Sequence, residues 1–217
     1  MSAAPRTVLT ASPEEAAAIR AAVRTPDLNL FEGRARVATT DDAAALTDLL
    51  SDPAVSDPIY DLPRPIDLAN VTAWIETAGA LRERGEALLL VTLDEADAVA
   101  GYSLFTVWPE RASAEIAGAR RADLQGSGGG AGGAARSFGW MFDALGVRLI
   151  GVTAALDNHR SARIIAAAGF TSMGVRDCLR PDGSTRSSLY WEMTREAWHR
   201  RIRAQRAAPP RPHGPQA

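Results

Sequence analysis

The sequence predicts a single α+β domain, antiparallel strands with helices packed around them. Three observations point there. The runs Ala87–Thr92, Ala98–Val107 and Ala112–Arg121 are apolar, strand-like and separated by short turns, which is the pattern of an antiparallel meander. Stretches with apolar residues at helical spacing stand before and after that meander. The chain has 217 residues, of which 46% are hydrophobic, enough for one good core and a small appendage.

Taken in order, the residues up to about Thr10 carry no periodic pattern and are expected to be disordered. Ser12-Pro13-Glu14-Glu15 reads as a helix start, with Ser12 as N-cap, Pro13 at the first helical position and Glu15 closing a capping box. This helix, to about Arg24, is expected on the surface of the domain or against a second subunit, so a homodimer is one possible assembly. Residues 34–38 alternate as a half-buried strand, and Thr40-Asp41-Asp42 caps a helix carrying Leu46, Leu49 and Leu50. Residues 52–65 form a proline-rich loop containing Tyr60 and Asp61. A helix from Asp67 or Asn70 follows, to about Gly85. After the meander come a glycine-rich run, a helix ending near Gly146, a buried strand over 147–154, and a helix from about Asp157 to Gly169-Phe170. A terminal hairpin turns at Pro181-Asp182-Gly183. The expected organisation is an N-terminal extension over residues 1–33, the main domain over 34–200, and a disordered Arg/Pro-rich tail over 201–217.

Net charge near −2 argues against a nucleic-acid or anionic-membrane surface, although every basic residue is arginine. Cys178 is the only cysteine, so no internal disulfide forms and a reducing cytoplasm is expected. With it and His159, His199 and His213, no metal-ligand spacing arises, so no metal is expected. No apolar stretch is long enough to span a bilayer.

The stretch from Leu124 to Phe142 holds seven glycines. Glycines have no side-chain chemistry, so whatever the run does is done by backbone N–H groups at the start of the helix behind it. Three readings are open: a flexible linker, a dinucleotide-binding turn, and a phosphate cradle of an acyl-coenzyme A enzyme. Both Gly126–Ala131 and Gly128–Gly133 satisfy G-x-G-x-x-G/A. The dinucleotide fingerprint, however, wants an acid about 20 residues on, and residues 146–150 hold none. The extra glycines fall in the first helical turns at about 1 kcal/mol each relative to Ala, and are expected to delay or fray the helix start.

The order of elements, together with Gln125-Gly126-Ser127-Gly128-Gly129-Gly130, Asn158-His159-Arg160-Ser161, Gly169-Phe170, the strand pair Glu115-Ile116 and the ending Glu196-Ala197-Trp198, resembles the Gcn5-related N-acetyltransferases (GNAT). Within them it is most similar to the ribosomal-protein N-terminal (RimJ/RimL-type) branch. The resemblance runs from about Arg34 to Trp198. It implies a central mixed, mostly antiparallel sheet flanked by helices, with a splayed strand pair that binds coenzyme A. Acetyl-CoA or another acyl-CoA is then a cosubstrate, and the acceptor is a primary amine of a small molecule or a protein N-terminus.

By the same resemblance, Gln125, Gly126, Ser127, Gly128, Gly129 and Gly130 hold the pyrophosphate. Backbone groups of Gly118, Ala119 and Arg120 bind the pantetheine arm, and Arg120 or Arg121 reaches a phosphate or stays on the solvated surface. Asn158 bonds the pantetheine or fixes the strand bulge. Tyr60 and Asp61 border the acceptor site, with Tyr190 on the last strand a further contact. Glu115 is the candidate base, with a solvated or ion-paired strand carboxylate as the alternative. Ser161 inherits a proton-donor role by position or caps its helix. The tyrosine that many family members place in that helix is Ile165 here, so the usual acid is missing. Three functions remain: an acyl-CoA N-acyltransferase, an acyltransferase fed by a carrier-protein thioester, and a coenzyme A-binding module that has lost catalysis. Trp74, Phe138, Trp140, Phe142 and Trp191 are expected in the core, and Cys178 is expected to be an inert thiol.

Overall fold

A computed structural model describes residues 3–124 and 129–207. Seven strands form one sheet: β1 (Ala35–Val37), β2 (Ala87–Leu93), β3 (Val99–Trp108), β4 (Ser113–Arg120), β5 (Leu149–Ala155), β6 (Thr171–Leu179) and β7 (Thr185–Thr194), in the spatial order β1-β2-β3-β4-β5-β7-β6. Every neighbouring pair is antiparallel except β4 and β5. That parallel ladder holds only Ser113–Leu149, Ala114–Ile150 and Glu115–Gly151. Past it β4 stays with β3 as far as Arg120, while β5 stays with β7 as far as Ala155. The two strands therefore diverge, as the predicted splayed pair requires.

The helices are α1 (Pro13–Arg24), α2 (Ala43–Ser51), α3 (Pro53–Ser56), α4 (Leu68–Arg84), α5 (Gly129–Asp143), α6 (His159–Ala167) and α7 (Arg195–Ala207). They sort onto the two sheet faces by strand alternation. On the first face Leu88, Leu90, Phe105, Val107, Ile150, Val152, Trp191 and Met193 pack with Ile19 and Val23 of α1, Phe138 to Phe142 of α5, Ile165 of α6 and Trp198 of α7. On the second face Leu89, Val91 and Tyr102 meet Leu46, Leu50, Val55, Val71 and Ile75 from α2, α3 and α4. The expected core aromatics Phe138, Trp140, Phe142 and Trp191 are all buried, and Trp74 stands edge-on to Tyr102 at 5.3 Å between centroids.

Local signals set the helix starts. The Ser12 hydroxyl accepts the Glu15 N–H, Asp67 accepts the Asn70 N–H, and Gly85 ends α4 in the left-handed region at φ 73°. Ahead of α2, residues 40–42 make a 3₁₀ turn that a Thr39–Asp42 capping box starts, and Asp42 of the expected Thr40-Asp41-Asp42 cap is the N-cap of α2. The buried Asp42 also accepts two bonds from Arg36, at 2.7 and 2.6 Å.

Several expectations are corrected. The proline-rich loop contains α3, because Asp52 caps it and Pro53 takes its first position. The last helix reaches Ala207, so residues 201–207 are helical rather than disordered. Composition hid an apolar stripe in which Trp198 is buried and Ile202 packs beside it. Of the two placements left open for α1, the domain's own core takes Ile19 and Val23. The opening segment is not disordered: residues 4–11 cross the second face, with a bend at Arg6 and Thr7. There Pro5 is buried, Arg111 donates to the Pro5 and Thr7 carbonyls, and the Ala11 N–H reaches the Glu110 carbonyl.

Candidate active site

The divergence of β4 and β5 opens a cleft of about 1080 Å³ through the sheet. One wall is Ile116 to Arg120 of β4, the other Val152 to Ala154 of β5, and Ser137 and Phe138 of α5 close the first-face side. Gly118 keeps β3 and β4 close where the opening begins. A Cβ there would lie 2.6 Å from the Tyr102 carbonyl oxygen. Gly118, Ala119 and Arg120, expected to hold the pantetheine arm, all line the cleft.

Helix α6 points its first turn at the same opening. Its N-cap is Asn158, whose Oδ1 accepts the Ser161 N–H at 3.0 Å, so the capping role left open for Ser161 belongs to Asn158. Asn158, Ser161 and Ile165 line the cleft, and Ile165 presents an apolar wall where the resemblance expects a phenol. Of the glycine motif, Gln125, Gly126, Ser127 and Gly128 lie outside the described residues. Gly129 and Gly130 open α5, so the helix begins within the run. Arg121 is committed elsewhere, bonded to Asp94 at 3.0 Å and Asp123 at 2.7 Å.

Glu115 is buried rather than solvated, at 5% exposure, on the second face in the row Glu115–Gly151–Glu192. Its Oε1 accepts the Thr153 hydroxyl at 3.2 Å, and Thr153 lines the cleft whereas Glu115 stands behind it. Thr153 was missed in the sequence. Alternation places it on the face of Gly151, but its contact with Glu115 depends on a register set by distant residues.

At the second-face mouth, Tyr60 and Asp61 are in the lining. The Arg186 guanidinium lies over the Tyr60 ring, 5.4 Å from its centroid, and donates to the Pro58 carbonyl at 2.9 Å. It ties the loop after α3 to the terminal hairpin. Tyr102 also lines the cleft; its buried hydroxyl has no hydrogen-bond partner among the described residues, and burial pushes its pKa well up.

Tyr190 is not in the cleft lining. It is buried under the opening segment, accepts the Arg6 N–H and donates to Glu192 at 2.6 Å. Burial, then the bond to Glu192, pushes the phenol above its usual pKa. For Glu192 burial acts upward, but bonds from Thr7 and Tyr190 outweigh it and hold the carboxyl below its ordinary range. Cys178 is buried, and that burial raises its pKa, as befits an inert thiol. Among the described residues no group of His, Cys, Asp and Glu could hold a metal ion, and no helix is long and apolar enough to cross a membrane.

Residues 34–171 match the family described as acetyltransferase (GNAT) domain. The chain belongs to the GNAT acetyltransferase family. Solved structures share its fold. The ribosomal-protein-S5-alanine acetyltransferase of Vibrio fischeri superposes with a TM-score of 0.63 at 16% identity, covering 76% of this chain and 93% of that one. Mycobacterium smegmatis RimJ, in complex with CoA-disulfide, gives 0.62 at 22% identity, covering 79% and 88%. The aminoglycoside acetyltransferase AAC(6')-Ib with ribostamycin and coenzyme A gives 0.63 at 21% identity, covering 76% and 95%. No curated protein sequence matches the chain.

Proposed function

We propose that this protein is an acyl-CoA-dependent N-acyltransferase, most simply using acetyl-CoA, that acts on a primary amine in a ternary complex. The observation that carries the reading is the parallel ladder that stops after Glu115 and Gly151 and leaves a cleft beside the β4 backbone. Its walls fit coenzyme A. The pantetheine amides can pair with β4 at Gly118 to Arg120 as an added strand would. The positive end of α5 suits a pyrophosphate without any basic side chain. Family membership and folds solved with coenzyme A bound support the same donor.

The chemistry asks little of the protein. A free amine attacks the thioester carbonyl, the C–S bond breaks, and the thiolate leaves while the new amide nitrogen loses a proton. A peptide α-amine is roughly a tenth neutral at pH 7, whereas a lysine amine is neutral at only a few parts in ten thousand. Glu115 takes the proton through the Thr153 hydroxyl or a water beside it, since Thr153 is the one of the pair that faces the cleft. A thiolate with pKa of about 8.5 leaves without a strong acid, which accommodates Ile165; Ser161 is the hydroxyl on that wall. Tyr60, Asp61 and the Tyr102 hydroxyl stand on the acceptor side.

The test is turnover with acetyl-CoA over a panel of peptide and small amines, in the wild type and Glu115→Gln. The variant is expected to lose about 10²-fold or more in turnover, with coenzyme A affinity by calorimetry unchanged. Equal turnover in the two removes Glu115 from the mechanism. The apolar Ile165 wall favours a second reading, a coenzyme A-binding module without catalysis; coenzyme binding with no turnover on the whole panel would establish it. Replacing free coenzyme A thioesters by carrier-protein thioesters in the same assay identifies the donor.

A further inference from the structure

The opening segment is held in an unusual way. The Arg6 N–H goes to the Tyr190 hydroxyl at 3.2 Å and the Thr7 N–H to Glu192 at 3.0 Å. Carbonyls of Ala4, Pro5 and Thr7 accept from Arg176 and Arg111. These contacts read a main chain that bends at Arg6 and Thr7 and use its backbone groups alone. Two side chains add selectivity. The Pro5 ring lies over Gly151, 3.3 Å from where a Cβ would stand, in the row shared by Glu115 and Glu192. The Arg6 guanidinium donates to the Met173 and Val175 carbonyls, both at 2.6 Å, and sits 5.5 Å from the Tyr190 ring centroid.

The attachment is shallow. Arg6, Thr7, Val8 and Thr10 are exposed, Val8 at 72%, and only Pro5 is buried, whereas Tyr190 and Glu192 beneath them are buried. The direction is also informative. From Thr10 back to Ala4 the segment passes Arg148, Glu192, Tyr190 and Arg176, which advances along β5 and β7 toward the end where the cleft opens.

We propose that Arg111, Arg176, Tyr190 and Glu192 form a groove for a polypeptide that carries a Pro-Arg pair and bends after the proline, with Ala4–Thr10 as its built-in, exchangeable occupant. A polypeptide bound there in the same direction would lead with its N-terminal side toward the cleft. While in place, the segment lies over Gly151, the ladder neighbour of Glu115, and competes with such a chain. This consequence for acceptor access rests on the acyltransferase reading; the groove itself does not.

The test uses the full-length protein and a C-terminally fluorescein-labelled peptide of residues 4–10, Ala-Pro-Arg-Thr-Val-Leu-Thr. In Arg6→Glu the new carboxylate faces two carbonyls and should release the segment, seen as faster hydrogen exchange of the Arg6-site and Thr7 amides. Fluorescence anisotropy is then expected to show the peptide binding at least about tenfold more tightly to Arg6→Glu than to wild type, where the tethered copy competes at high effective concentration. Arg111→Ala on that background should abolish binding, as should a peptide with Glu for Arg. Pro5→Gly gives a second route to release with every charge kept.

Released segments that leave the peptide unbound, equal binding of the Glu-bearing peptide, or unchanged exchange in both variants would each overturn the proposal. Loss of the fold in both variants would do so too, by making the segment integral to the core. If the peptide binds as expected but no amine is acylated, the enzyme reading fails and the groove stands.

Discussion

Tyr190→Phe removes one oxygen from a buried polar pair on the second face. That oxygen donates to Glu192 at 2.6 Å and accepts the Arg6 N–H. A hydrogen bond to a charged group contributes about 1.5–3 kcal/mol, and Glu192 is buried, so water does not readily replace it. The Arg6 amide lies nearer solvent and recovers most of its loss. The expected destabilisation is therefore about 2–3 kcal/mol, which for a chain of this length lowers Tm by about 4–12 °C.

The pH dependence tests the cause. Glu192 is held below the ordinary carboxyl range, so its contribution is fully present above the unfolded pKa of about 4.3 and is lost as pH falls through the folded value. The gap between wild type and variant should thus be complete at neutral pH and shrink below about pH 4. Urea unfolding at pH 7 and at about pH 3.5 measures it. A gap under about 0.5 kcal/mol, or one of equal size at both pH values, would refute the assignment of the bond to the ionised carboxylate.

Two further substitutions probe the frame of the cleft. Asp42→Asn loses the paired bonds from Arg36 and should cost about 2–3 kcal/mol at neutral pH by urea unfolding. Burial acts to raise the Asp42 pKa but the Arg36 and Thr39 bonds win, so its stabilisation fades as pH falls through a folded value below about 3.9; a wild-type advantage that persists in acid contradicts this. Gly118→Ala pushes a methyl group against the Tyr102 carbonyl and should destabilise the protein by about 1–3 kcal/mol. By shifting β4 it should also weaken coenzyme A binding by about 1.4 kcal/mol, or tenfold, in calorimetry. Unaltered affinity would remove β4 from the coenzyme site.

What could be read from the sequence was what local chemistry decides. Ser12-Pro13, Asp67 with Gly85, and the Gly183 turn at φ 83° act within a few residues, so α1, α4 and the terminal hairpin were legible. The spacing of a family motif also singled out Gly118, Asn158 and Ser161, which the structure brings together in the cleft lining. The opening segment was not, since its partners stand more than a hundred residues away at Arg111, Arg176 and Tyr190 and its own residues show no apolar period. The same distance separates Glu115 from Thr153 in kind: alternation assigns each a face, and only the three-residue ladder brings them together. Tyr190 was placed on the correct strand, but nothing in its neighbours announces the proline and arginine that cover it.

The short ladder between β4 and β5 has a mechanical meaning. It makes the sheet two plates, β1 to β4 and β5 to β7, joined by three residue pairs along one end. The opening segment is anchored on Arg111 beside the first plate and on Tyr190 and Glu192 of the second, so it is a stitch across that seam. The seam that the short ladder leaves weakest is the one along which the cleft opens, and residues 5–7 bridge its two sides.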